Sequence, residues 1–124
     1  MISYSVYKIV HLLGMFLMFT ILGGISLHVL NGGTRQSNVG RKLAAALHGV
    51  AMFVILLGGF GMLARLGMVR GGFPGWIWAK LLIWVLLGAF GTLPYRRPSL
   101  AKPFLFLLPL LGALAAFFAI YKPI

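Results

Sequence analysis

Gly75-Trp76-Ile77-Trp78-Ala79-Lys80-Leu81-Leu82-Ile83-Trp84 opens an apolar run with a lysine inside it. The run continues to about residue 93, close to the roughly 20 residues that carry a helix across a bilayer core. An ammonium group placed that deep in hydrocarbon costs about 2.5 kcal/mol or more. Lys80 therefore either snorkels back to the interface or meets a specific partner. Trp76 and Trp84 stand four residues either side of it, on the same helical face.

Three further runs of this kind lie at about 9–30, 43–64 and 104–121. None alternates polar and apolar residues over about ten positions, as barrel strands do. The 124 residues are 61% hydrophobic and 9% charged, and their mean hydropathy is +1.04. A soluble domain of this size does not carry that surface, so the class is an all-α integral membrane protein. Helices are expected at about 4–30, 41–65, 75–93 and 101–121, forming one transmembrane domain over 1–124. The first run follows Lys8 but is too long for a signal-peptide core and lacks a small-x-small cleavage pattern after it, so it reads as a retained helix. The turn-rich segments between the runs are short, which makes successive helices antiparallel neighbours and predicts an up-down-up-down four-helix bundle.

There are eleven Lys and Arg, no Asp or Glu, and no Cys. Carboxylate general acid/base chemistry, a Ser-His-Asp triad, carboxylate-built Mg or Ca sites and Cys-ligated metals are all excluded. The cations must be matched from outside: by anionic lipid headgroups, by an anionic cofactor, or by acidic residues of another membrane subunit. Other membrane subunits or a homo-oligomer are the expected protein partners. They sit at the ends of apolar runs, as topology signals do, so nucleic acid is not an expected partner. The first and third loops hold six cations (Arg35, Arg41, Lys42, Arg96, Arg97, Lys102), and the opposite side holds Lys8, Arg65, Arg70, Lys122 and a snorkelling Lys80. This bias puts those loops inside and both termini outside the cytoplasm of a bacterial inner membrane.

Many of the seventeen glycines fall within the runs, with small-xxx-small pairs at Ala45/Gly49, Gly88/Thr92 and Gly112/Ala116. They suit internal helix packing, a protein–protein face or a slot for a flat cofactor.

Three histidines, His11, His28 and His48, share the apolar runs with Lys80. Intramembrane ionisable groups are functional candidates by default. His11 and Lys80 enter from the same side and differ in depth by about 3 Å at 1.5 Å per residue. Lys8, three residues before His11, and Arg65, closing the second helix, belong to that side too. Lys8, His11, Arg65, Trp76, Lys80 and Trp84 thus form a basic, aromatic-lined cluster. His28 and His48 lie toward the opposite side, where His28 reads as an interfacial or carbonyl-bonded residue. On the second helix His48 shares a face with Met52, Ile55, Gly59 and Met62, which suits an elongated apolar ligand or tight packing. Haem b matches this chemistry best: a neutral imidazole for iron, apolar walls for the ring, and Lys or Arg for the propionates. Copper wants clustered His or Met ligands, and scattered methionines are more often packing residues.

Tyr7-Lys8-Ile9-Val10-His11-Leu12-Leu13-Gly14 resembles the opening of the small membrane proteins grouped around HemJ-type protoporphyrinogen oxidase, CopD-like and SirB-like domains. Gly75-Trp76-Ile77-Trp78-Ala79-Lys80-Leu81-Leu82 resembles the Gly-Trp…Lys-Leu stretch opening a later HemJ helix. The resemblance implies His11 as haem and metal ligand, with Lys80 beside it. The expected haem-binding set is His11, Lys80, Lys8, Arg65 and His48, and no catalytic residue is assigned. The absence of acidic residues departs from the HemJ pattern and leaves a second expectation open: a non-catalytic accessory subunit of a larger membrane complex.

Overall fold

A computed structural model describes residues 2–68 and 70–124. It is all-helical, with no strand among the described residues. The helices are α1 (Tyr4–Leu30), α2 (Arg41–Arg65), α3 (Gly75–Ala89), the single turn α4 (Leu93–Arg96) and α5 (Ala101–Tyr121). Three segments are long and apolar enough to cross a membrane: α1, α2, and α5 with the 3-10 turn before it.

The helix ends follow from local chemistry. The Ser3 hydroxyl caps α1 by accepting from the Val6 N–H at 3.3 Å. At the other end, Gly32 takes φ +89°, and the Gly33 N–H returns to the His28 carbonyl at 2.9 Å. Only glycine enters that left-handed region without strain, so the helix stops there. Helix α3 begins after Pro74 and spans 15 residues, about 22 Å at 1.5 Å per residue. It ends at Ala89 rather than near residue 93 as the apolar run implied. Pro94 has no N–H to give the carbonyl four residues back, so the hydrogen-bond ladder breaks through Phe90–Thr92 before α4 starts. Gly88 and Thr92 therefore do not share one continuous helical face.

One core joins four helices. Met18 and Leu22 of α1, Ala51 and Ile55 of α2, Ile83 and Leu87 of α3, and Leu108 and Ala115 of α5 are buried together. The outward faces are also apolar: Ile9, Leu13, Phe16, Phe53, Leu82, Phe106 and Leu110 are all exposed. A chain that is apolar on both its inner and outer faces suits a hydrocarbon surround.

The tightest seam runs between α1 and α2. A Cβ on Gly14 would lie 2.9 Å from the Ile55 nitrogen, and one on Gly58 would lie 2.6 Å from the His11 nitrogen. A Cβ on Gly61 would strike the Tyr7 ring. Going up α1 and down α2, Tyr7 meets Gly61, His11 meets Gly58 and Gly14 meets Ile55. Missing side chains let the two backbones close, the device by which membrane helices pack without a hydrophobic driving force between them. Gly112 receives the Phe19 ring and Gly88 the Met52 methyl in the same manner. Gly49, by contrast, has nothing within 4 Å.

Candidate functional site around His11 and Lys80

His11 lies on the α1 face that meets α2. Its Nδ1–H donates to the Ile55 carbonyl oxygen at 2.8 Å. That carbonyl already belongs to the α2 ladder, so the imidazole is a second donor on it. The bond fixes the tautomer: Nδ1 carries the proton and Nε2 keeps its lone pair. Gly59 gives the ring room, since a Cβ there would stand 3.5 Å from Nδ1 and Cε1.

Lys80 is half-buried on α3, close enough to His11 for its charge to act on the imidazole. Lys122, just past α5, acts on Lys80 in the same way. The position of Lys122 has a structural cause. The Gly75 N–H at the start of α3 donates to the Ile124 backbone oxygen at 3.2 Å, which draws the segment after α5 over that end. The Lys122 ammonium then stands 5.2 Å from the Trp76 ring centroid and donates to the Ala119 carbonyl at 2.8 Å. One end of the fold thus brings Lys80 and Lys122 to the side of His11, with Lys122 over the Trp76 ring. The role of Lys122 was missed in the sequence because it depends on how the last residues dock; the spacing of a lysine and tryptophan 46 positions apart carries no such signal.

Lys8 and Arg65 are exposed at the same end, where α1 starts and α2 finishes. It is Tyr7, not Lys8, that follows the His11 seam. His48 is not brought to His11. It lies seven residues before Ile55 on α2, about 10 Å along the axis, and turns to α3, where its Nε2–H donates to the Leu87 carbonyl at 3.1 Å. His28 is separate again, its Nε2 bonding the Thr34 carbonyl oxygen at 2.8 Å in the loop after α1.

Trp84 completes a pattern. Its Nε1–H donates to the Met52 carbonyl oxygen at 3.0 Å. His11, Trp84 and His48 therefore each cross to a backbone carbonyl of a neighbouring helix, so every one of these polar side chains both satisfies itself and ties two helices together. Among the described residues no group of three or more metal-ligating side chains is formed. The donor set at this end is accordingly one fixed imidazole with nearby cations. It fits a group that needs a single protein nitrogen and anion-matching charge, and it does not fit a bare metal ion that needs several ligands. No protein-family model, no curated protein and no solved structure matches the chain.

Proposed function

We propose that the chain is a small membrane protein that binds haem b through His11, with Lys80 the foremost cation for a propionate and Lys8 or Arg65 at the same membrane face. The observation that carries this reading is the His11 Nδ1–H bond to the Ile55 carbonyl. Ligating histidines are oriented in this way, one ring nitrogen held by a carbonyl and the other left with its lone pair for the metal. The short resemblance to HemJ-like and CopD-like proteins at His11 and Lys80 points the same way. Haem b, when bound, supplies one-electron redox chemistry. What this chain supplies is the imidazole, its orientation, the apolar surroundings and the matching charge. In this reading α3, continued through Phe90–Thr92 into α4, is the fourth crossing of an up-down-up-down bundle in a bacterial inner membrane, with both termini outside the cytoplasm.

The test is an absorption spectrum of gently solubilised protein, oxidised and then reduced with dithionite. A Soret band with sharp reduced α and β bands in the wild type, lost in His11→Ala and kept in His28→Ala, is the expected result. A blank spectrum from cells supplied with haem overturns the reading.

A second reading is favoured by a different observation. Gly23 and Gly24 on α1 and Gly49 on α2 have nothing within 4 Å of where a Cβ would stand, so two helix backbones are open to close approach by another helix. Together with a charge of +11 and no acidic residue, this suits an accessory subunit seated on an acidic membrane partner. Gentle extraction should then yield an assembly larger than the monomer; a monodisperse free chain excludes it.

A further inference from the structure

The end of the molecule opposite His11 holds a cleft of about 160 Å³ between the start of α2, the loop before it, the end of α3 and α4. Arg35, Arg41, His48, Gly91, Thr92 and Tyr95 line it. We propose that this cleft binds a phosphoryl group, carried either by an anionic lipid headgroup or by a free phosphate at the membrane surface.

The donors are arranged for an anion. Arg41, the first residue of α2, uses Nη1 to donate to the Gln36 and Asn38 carbonyls, each at 3.4 Å, which holds the guanidinium against the loop. Its other nitrogens stay available, and the planar fork of an arginine matches phosphate oxygens in pairs. The Arg35 side chain makes no hydrogen bond among the described residues. Tyr95 accepts from Asn38 Nδ2 at 2.7 Å, which leaves its own O–H to donate. Thr92 adds a hydroxyl. His48 lines the cleft with its ring against Gly91, where a Cβ would lie 2.8 Å from Cε1, and its Nε2–H is used on Leu87. Two guanidinium groups converge on one cavity in a chain that has no carboxylate side chain to neutralise either. The counter-charge has to come from another molecule.

Size and setting agree with that ligand. The volume is many times the roughly 10–15 Å³ that admits one water, ample for the five heavy atoms of a phosphate. Gly40 provides α2 with no side-chain cap, and its first turn has no acidic residue, so the positive end of the helix dipole adds to the two arginines. Lys42 at the start of α2 and Lys102 at the start of α5 belong to the same end of the fold and draw anions toward it.

The experiment uses the full chain in phosphatidylcholine nanodiscs. Thermal unfolding is followed with added inorganic phosphate, and separately with phosphatidylglycerol included in the disc. The variants are Arg35→Gln, Tyr95→Phe and, as a control of equal charge loss outside the cleft, Arg96→Gln. Arg35 lies in a loop and makes no bond that the fold depends on, so its variant folds. A rise in Tm for wild type and for Arg96→Gln, with apparent affinity weakened about tenfold or more in Arg35→Gln, supports the cleft. A rise with inorganic phosphate assigns a free phosphate. A rise only with phosphatidylglycerol assigns the headgroup. Equal weakening in Arg96→Gln and Arg35→Gln reduces the effect to surface charge and overturns the proposal, as does no rise with either anion. None of these outcomes depends on haem at His11.

Discussion

The backbone nitrogen of His11 lies 2.6 Å from where a Cβ of Gly58 would be, and its imidazole Nδ1 is 2.8 Å from the Ile55 carbonyl oxygen one turn away on the same helix. The close approach of α1 to α2 at Gly58 and the orientation of the His11 imidazole are therefore a single feature. The glycine brings the helices together, and the nearness makes the imidazole bond possible.

This joint role gives His11 two separable effects. His11→Ala removes both ligand and tie. His11→Asn places an amide N–H where Nδ1–H stands, able to reach the Ile55 carbonyl, and offers iron no imidazole. Under the haem reading His11→Asn loses the Soret band while its helical circular dichroism and Tm stay near wild type. A Soret band retained by His11→Asn would remove His11 as the ligand.

Lys80→Leu takes a charge out of hydrocarbon and relieves the repulsion from Lys122. Insertion and melting should be equal to or better than wild type, by up to about 3.5 kcal/mol on insertion scales. Haem retention on dilution should nevertheless fall if Lys80 matches a propionate. Unchanged retention assigns Lys80 to snorkelling alone.

Gly58→Ala pushes a methyl into the His11 backbone, which has no flexible end to yield. A loss of about 1–3 kcal/mol is expected, read as a drop in Tm in detergent. Gly23→Ala meets nothing within 4 Å, so the isolated chain should melt like wild type or slightly higher. A loss confined to the size of a gently extracted assembly would mark Gly23 as a helix-docking position.

Ser26 is 1% exposed, and its hydroxyl has no hydrogen-bond partner among the described residues. An unsatisfied buried hydroxyl costs about 1–3 kcal/mol. Ser26→Ala should therefore raise Tm or leave it unchanged. A clear fall would reveal an undetected partner for that oxygen.

Trp84→Phe keeps an aromatic ring, reduced from indole to phenyl, and removes the donor to Met52. The expected loss is about 0.6–1.5 kcal/mol, the range of interhelical hydrogen bonds in membranes.

Hydropathy and the complete lack of carboxylates are properties of composition. The sequence alone therefore determined the all-helical class and the apolar segments, and it carries eleven cations with no acidic side chain. It also marked Lys80 and His11 as the groups an apolar segment would not carry idly, because the cost of a buried polar group does not depend on the fold. Three things were decided only by the tertiary structure. The first is which glycines close the seam: Gly14, Gly58 and Gly61 do, though none of them stands in a small-xxx-small pair, whereas Gly49, which does, is exposed with nothing within 4 Å. Spacing places a residue on a helix face, but the rotation of the helix against its neighbours decides what that face meets. The second is the parting of His48 from His11, since each turns to a different helix. The third is the convergence of Arg35 and Arg41 with Thr92 and Tyr95, more than fifty residues further on. Read along the chain, those arginines are topology signals; only the packing of α2 against α3 makes them the walls of one cleft.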